Sequence, residues 1–357
     1  MLDQDASLRL KMLRFPPIIG VIYIHAYGKT IDFAGSTIGS STTNVLTDFV
    51  RVLISECLAR TAVPIFFLLA GYLFFINFQL SQQGYWDKLR SRGRSLLLPF
   101  FFWNALVMVI VLLAQVLPPF TPYFPEGRAL VEKHGVFQLL DALLGLTRYP
   151  IAYHFWFVRD LMLLVLLAPL LAVILRVAAL PFFFVVYLGW VSGSWPLNVP
   201  AAVGVFFFSA GAFCAIKGHS LFVLDRFGPH ALLLSLPILL ADVVWNSAWF
   251  NSYLHRSGMI VGVVAILYAT RLAARHQGLQ NMLVALGGTS FFVYAAHEPL
   301  LGLVRTLAYQ YVPLDGPYTL LALYLLIPLL VVAALVVCHR LLTLCCPRAL
   351  GLITGGR

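Results

Sequence analysis

The sequence predicts an all-α fold, a polytopic membrane bundle of about ten transmembrane helices with both termini cytoplasmic. Three observations carry this expectation. Of the 357 residues, 61% are hydrophobic and only 11% charged, where soluble domains carry about 25% charged residues; the mean hydropathy is +0.90. The apolar residues fall in runs of about 20, enough for a helix to cross a bilayer core about 30 Å thick. Only helices or closed barrels satisfy their backbone groups in lipid. Finally, the basic residues gather in alternate breaks between the runs, the pattern that orients membrane helices.

The predicted spans are 11–28, 57–78, 96–117, 155–177, 179–195, 198–216, 229–250, 257–274, 282–305 and 318–340, within a single domain over 1–357. Cytoplasmic termini put Arg9, Lys11, Arg14, Lys88, Arg90, Arg92, Arg94, Arg176, Lys217, Arg226, Arg271, Arg275, Arg340, Arg348 and Arg357 on inner segments, more than half of the 24 basic residues. The net charge of +10 therefore reads as topology signal and attraction to anionic headgroups, not as a nucleic-acid interface. The five cysteines, Cys57, Cys214, Cys338, Cys345 and Cys346, have neither disulfide-framework nor metal spacing, and no metal site is expected. The short polar lead has no small-residue cleavage site, so the first run is expected to be retained.

The first span begins RFPPIIGVIYIH. In one continuous helix, Arg14 and His25 would lie about 20° from a common face and about 16 Å apart along the axis. An ionisable group that deep in a membrane is a functional candidate by default. The outer loop 29–56, rich in Ser, Thr and Gly, is expected to be irregular. The second span opens on Arg60 and reads TAVPIFFLLAGYLFF, with Pro64 expected to bend it. The next inner loop, WDKLRSRGRSLLLPF, is either a topology determinant or a patch for phosphate, which arginine forks match. The long outer loop holds a turn-forming stretch, PPFTPYFPEG. Val136, Leu139, Leu140 and Leu143 then recur at helical spacing, for a helix in the outer interface or the bundle mouth. YHFWFVRDLM follows, bringing His154, Arg159 and Asp160 to the start of the fourth span. Asp242 is a lone acid in the seventh span, where a hydrogen-bonded packing position and a functional role are both open. The ninth carries SFFVYAAHEPLL; counted from 282, His297 lies about 22 Å along the helix, and Pro299 can kink the helix there. The tenth serves packing, and no internal repeat is visible.

His25, Arg60, His154, Arg159, Asp160, His297 and Glu298 thus all fall in the outer half or at the outer mouth. Charges in lipid must face one another or a wet cavity, so one shared cavity is expected. Arg14, Arg90, Arg92 and Arg94 lie on the inner side. Acid–base groups outside and phosphate-binding groups inside suit transfer from a phosphorylated cytoplasmic donor to an outward-facing acceptor.

These segments resemble the family-three integral membrane acyltransferases, and within them the surface polysaccharide O-acyltransferase branch. The resemblance covers essentially the whole chain. It rests on Arg14 and His25 in the first span, on RTAVPIFFLLAGYLFF, on HFWFVRDLM and on FFVYAAHEPLL. Ala70 stands where the family usually has serine, and Arg90, Arg92 and Arg94 depart from its usual three-residue arginine spacing. The resemblance implies a bacterial inner-membrane, multi-pass enzyme in stand-alone form. Such an enzyme moves an acyl group, commonly acetyl, from acyl-CoA as donor substrate to a hydroxyl of a surface glycan or its lipid-linked precursor, with no tightly bound cofactor.

His25 is then the candidate general base, since an imidazole with a pKa near 6.5 can take a hydroxyl proton at neutral pH. Glu298 or Asp160 could orient an imidazole, with His297 and His154 nearby. Arg60 or Arg159 could stabilise the oxyanion or position the acceptor. Arg14, Arg90, Arg92 and Arg94 would hold the coenzyme phosphates. Direct transfer and relay through an acyl-imidazole both remain open. The competing reading is a transporter or flippase of a lipid-linked sugar that uses the same cluster as its pathway.

Overall fold

The computed structural model describes residues 3–33, 36–40, 43–76, 78, 81–116, 135–147 and 149–356. Helix α1 (Gln4–Met12) starts on Asp3, whose carboxylate accepts the Ala6 N–H at 2.6 Å. Helix α2 (Pro16–His25) follows a turn. The expected continuous helix through Arg14 does not form. Prolines at 16 and 17 lack N–H groups and disfavour helical geometry in the residue before them, so α2 opens on the proline pair and Arg14 stands in the turn.

The loop expected to be irregular holds an antiparallel hairpin, β1 (Thr30–Phe33) and β2 (Ser36–Gly39), in the register Thr30↔Gly39 and Ile31↔Ile38. Gly39 has φ +115°, and a Cβ there would lie 2.3 Å from the Lys29 carbonyl oxygen. Helix α3 (Val45–Arg51) continues through a wide π turn at Val52–Leu58 and a tight turn at Ala59–Thr61 into α4 (Ala62–Phe75). The distortion falls just before Pro64, which cannot donate to the carbonyl four residues back.

Helix α5 (Gln82–Arg92) runs through a second π turn, Gly93–Leu97, into α6 (Leu98–Val116). The turn-forming stretch at 118–127 lies outside the described residues. The helix predicted from Val136 forms as α7 (Val136–Leu144); Val136, Phe137 and Leu140 are exposed on it.

Two predicted spans are broken. Residues 155–177 form α8 (Trp156–Leu166) and α9 (Ala168–Val177), bent by 66° where Pro169 enters the first turn of α9. After α10 (Ala179–Ser192), α11 (Ala202–Ile216), α12 (Gly228–Val244) and α13 (Asn251–Ala273), residues 282–305 fall on α14 (Gln277–Gly287) and α15 (Ser290–Tyr311), bent by 68°. Gly287 and Gly288 weaken the helix there. The Thr289 and Ser290 hydroxyls donate back to the Leu286 and Gly287 carbonyls at 2.8 and 2.7 Å. His297 therefore lies about 10 Å along α15, not about 22 Å along one unbroken span. The chain ends with α16 (Thr319–Cys345) and α17 (Pro347–Thr354).

Among the described residues, five helical runs are long and apolar enough to cross a membrane, or seven if each bent pair is one span. Helices α10 and α11, with 14 and 15 residues, reach only about 21 to 23 Å at 1.5 Å per residue.

The chain forms two compact units. The first comprises 1–24, 52–93 and 160–290, the second 25–51, 94–159 and 291–357. In the first, α4 and α11 touch backbone to backbone. A Cβ on Gly71 would lie 2.0 Å from the Phe208 carbonyl oxygen, and one on Gly211 2.0 Å from that of Leu68; small residues allow such crossings. Arg9 is 2% exposed and is not a free inner-surface charge. It grips Asp225 with both terminal nitrogens at 2.7 and 2.9 Å, and Thr270 and the Leu267 carbonyl at 2.9 and 2.8 Å. Asp242, expected as a lone acid, pairs with His255 Nδ1 at 2.7 Å. In the second unit, Trp103 Nε1 of α6 donates to the Ile353 carbonyl of α17 at 3.0 Å. Arg51 of α3 is buried, bonded to Asp48 at 3.1 Å and stacked over the Tyr27 ring at 4.7 Å.

Arg9→Met would strand the Asp225 charge and is expected to cost about 3–5 kcal/mol, seen as a fall in the unfolding temperature of the detergent-solubilised protein. Arg9→Met combined with Asp225→Leu should recover most of the loss.

Candidate active site

The second unit draws three histidines together from distant segments. His25 is the last residue of α2, His154 lies in the tight turn Tyr153–Phe155, and His297 is on α15. Ring centroids are 5.3 Å apart for His25 and His297, 4.9 Å for His154 and His297, and 6.4 Å for His25 and His154.

Each ring has a defined support. Arg305, two turns beyond Glu298 on α15, donates to the His25 carbonyl at 3.1 Å and to that of Gly28, and Tyr309 also donates to Gly28 at 3.2 Å. These bonds satisfy the last carbonyl of α2 and that of Gly28 just beyond it. Asn104 of α6, wholly buried, accepts the Ala152 N–H at 3.1 Å and fixes the segment that enters the tight turn. The Tyr294 hydroxyl donates to the His154 carbonyl at 2.6 Å.

Hydrogen bonds assign the ring protons. His297 Nδ1 faces the Tyr294 carbonyl at 2.6 Å and His154 Nε2 faces that of Ala295 at 3.2 Å. A carbonyl only accepts, so both nitrogens carry hydrogen. His297 Nε2 and His154 Nδ1 are then lone-pair acceptors, buried and without a hydrogen-bond partner. For His25, the deciding group is Tyr153. Its hydroxyl donates to Glu298 Oε1 and lies 3.0 Å from His25 Nδ1. With its single proton on the carboxylate, the hydroxyl accepts from Nδ1–H, which leaves the lone pair of His25 on Nε2. His25 Nδ1 and Glu298 Oε1 are 4.0 Å apart, so the tyrosine is the connector. The side chains of His25 and Glu298 are 15% and 18% exposed, enclosed yet open to a substrate.

The other expected residues divide between the two units. Arg159 of the second unit donates to the Gly145 carbonyl at 2.5 Å and so holds the end of α7. Asp160 falls in the first unit, fully buried, and accepts the Ala201 N–H at 2.7 Å beside the start of α11. Arg60, also in the first unit, pairs with Glu56 at 2.7 Å. Arg14 is exposed in the turn before α2, close to Gly287. Arg90 and Arg94 are exposed and Arg92 is half-buried along α5 and the turn after it. Lys88 of the same run donates to the Phe74 carbonyl and, at 2.9 Å, to that of Ile76 at the end of α4, a structural use of one charge of the basic loop. Among the described residues, no group of three or more His, Cys, Asp or Glu side chains is arranged to hold a metal ion.

Sequence reading did not single out Tyr153 or Arg305. Tyr153 directly precedes His154 in a run already rich in aromatics. Arg305 follows Glu298 by seven residues, two helical turns on one face, which was the available signal.

The arrangement presents a basic imidazole nitrogen backed by a tyrosine–carboxylate pair, beside two imidazole acceptors, as proton transfer from a bound hydroxyl requires. The family model of the acyltransferase domain matches residues 8–340. The chain is 28% identical over 374 residues to the succinoglycan biosynthesis protein ExoH of Rhizobium meliloti (strain 1021), across 100% of this chain and 94% of the relative. No solved structure matches it. With its helices and the matched domain running nearly end to end, the chain belongs to the family-three integral membrane acyltransferases.

Proposed function

We propose that the protein O-acylates a cell-surface polysaccharide or its lipid-linked precursor, taking the acyl group, acetyl in the first instance, from acyl-CoA. The observation that carries this reading is the His25–Tyr153–Glu298 relay. The name of the relative ExoH, a protein of polysaccharide biosynthesis, supports a glycan as acceptor.

In the proposed reaction, His25 Nε2 takes the proton of a sugar hydroxyl as its oxygen attacks the thioester carbonyl. The C–S bond breaks, and the coenzyme thiolate leaves with the proton returned by the imidazolium. Glu298, through Tyr153, stabilises the positive ring and keeps Nδ1 protonated. His154 and His297, buried against the His25 ring, hold it in place. Arg14, Arg90 and Arg94, exposed cations with forked donors, are the proposed holders of the coenzyme phosphates, with Arg92 beside them. Ten passes with both termini cytoplasmic, in a bacterial inner membrane, would put these arginines on the donor side. Helices α2, α10 and α11 would then supply the shorter passes.

His25→Ala is expected to lower glycan acylation by roughly 10²–10⁴-fold with the protein at normal level in the membrane, read by mass spectrometry of the purified glycan. Undiminished acylation would exclude His25 as base. A loss of glycan export with unchanged acyl content would instead favour transport. Tyr153→Phe keeps the ring but removes the connector. It should cost about 10–100-fold in kcat, the scale of losing one activating contact, with little change in KM for acyl-CoA; an unchanged kcat would remove Tyr153 from the relay.

A further inference from the structure

A polar cavity of about 440 Å³ lies in the second unit, away from the histidines. Its volume falls within the range of about 300–1,000 Å³ typical of small-molecule sites. One wall is the end of the hairpin and the start of α3, with Ser40, Thr43, Asn44 and Thr47; the other is the connection from α15 to α16, with Asp315 and Pro317. Asn44 ties the walls together by donating to the Pro317 carbonyl. Thr47 is 1% exposed, and its hydroxyl oxygen has no hydrogen-bond partner. A buried hydroxyl without a partner costs about 1–3 kcal/mol, so a ligand that bonds to it would be favoured.

The lining selects the class of ligand. Its polar side chains are hydroxyls, an amide and one carboxylate, set beside Leu314, Pro317 and Leu320; among the described residues no lysine or arginine lines it, and the nearest cation, Lys29, donates to the Thr43 hydroxyl at 3.0 Å and pairs with Asp48 at 2.9 Å. An anionic coenzyme would meet Asp315, and the cation beside the cavity, Lys29, is already neutralised by Asp48. A neutral polyhydroxylated chain both donates and accepts, and so matches every polar group present.

The cavity is also connected to the candidate active site through the chain. Both walls continue the elements that hold the relay. The chain leaves His25 at the end of α2, passes Gly28, which Arg305 and Tyr309 hold, and reaches Lys29, whose carbonyl accepts the Ser40 N–H at 3.3 Å. Helix α15 carries Glu298 and ends at Tyr311, just before Asp315. The rise from Glu298 to Tyr311 is about 20 Å, the reach of several linked sugars.

We propose that this cavity is a subsite for the acceptor glycan, binding sugar units of the chain remote from the hydroxyl that reacts. The inference rests on the acyltransferase reading above. The test uses the purified protein and unacylated polysaccharide from cells lacking the gene, cut to oligosaccharides and to monosaccharides. Thr47→Val removes the hydroxyl at constant shape, and Asp315→Ala removes an exposed carboxylate. Each should weaken oligosaccharide binding, measured by calorimetry, by about 10-fold, the effect of losing one good hydrogen bond. Each should raise KM for oligosaccharide by a similar factor, with kcat and the KM values for monosaccharide and acyl-CoA unchanged. Thr47→Val should also leave the unfolding temperature equal or higher, so that weaker binding cannot come from misfolding. Oligosaccharide binding unchanged in both variants would overturn the subsite while leaving the reaction intact. Binding that falls as expected while His25→Ala still acylates would keep the subsite and reject the proposed base.

Discussion

The Tyr153 hydroxyl has one proton, and it donates that hydrogen to Glu298 Oε1. From that follows the rest of the local chemistry: His25 must donate from Nδ1, and its basic lone pair sits on Nε2. A tyrosine between imidazole and carboxylate separates the two by 4.0 Å while keeping them electrically linked. The surrounding elements exist to keep this contact. Arg305 and Tyr309 hold the end of α2, Asn104 holds the segment entering the tight turn, and Tyr294 holds the turn itself. The three segments meet only because helices from distant parts of the chain each give up a backbone carbonyl or N–H to a side chain of another.

The bilayer as solvent explains why so many of these contacts involve backbone. Water is not at hand to satisfy an open helix end, so a side chain must do so. The chain opens its helices at several places. Proline starts α2 and α9, Pro64 sets the turns before α4, and paired glycines separate α14 from α15. Open groups at several helix ends are taken up by side chains: Arg305 at the end of α2, Lys88 at the end of α4, and the Thr289 and Ser290 hydroxyls between α14 and α15. Broken helices also set depth. Restarting at Ser290 brings His297 only two turns from a helix start, beside the last residue of α2.

Several charges that stand out in the sequence have partners within their own unit. Arg9, Arg159, Asp160 and Lys88 all satisfy carbonyls, N–H groups or a buried carboxylate inside their own unit. In a chain with few charges, each one stands out, and the sequence offers no sign of which has a structural partner. The reverse holds for Tyr153: it is one aromatic among many, and nothing local distinguishes it. Gly71, part of the glycine–tyrosine run by which the family resemblance was drawn, has a plain physical reason, the backbone contact of α4 with α11.

Composition and the length of the apolar runs determined by themselves that this is a helical membrane protein, because only helices and closed barrels satisfy their backbone in lipid and continuous apolar runs of about 20 residues suit helices. The order of motifs was enough to draw the family and to mark His25, His154, His297 and Glu298. Tertiary structure alone decided which of the marked groups meet and that Tyr153 stands between His25 and Glu298. Those are properties of contacts between residues more than a hundred positions apart, and periodicity along a chain carries no information about them.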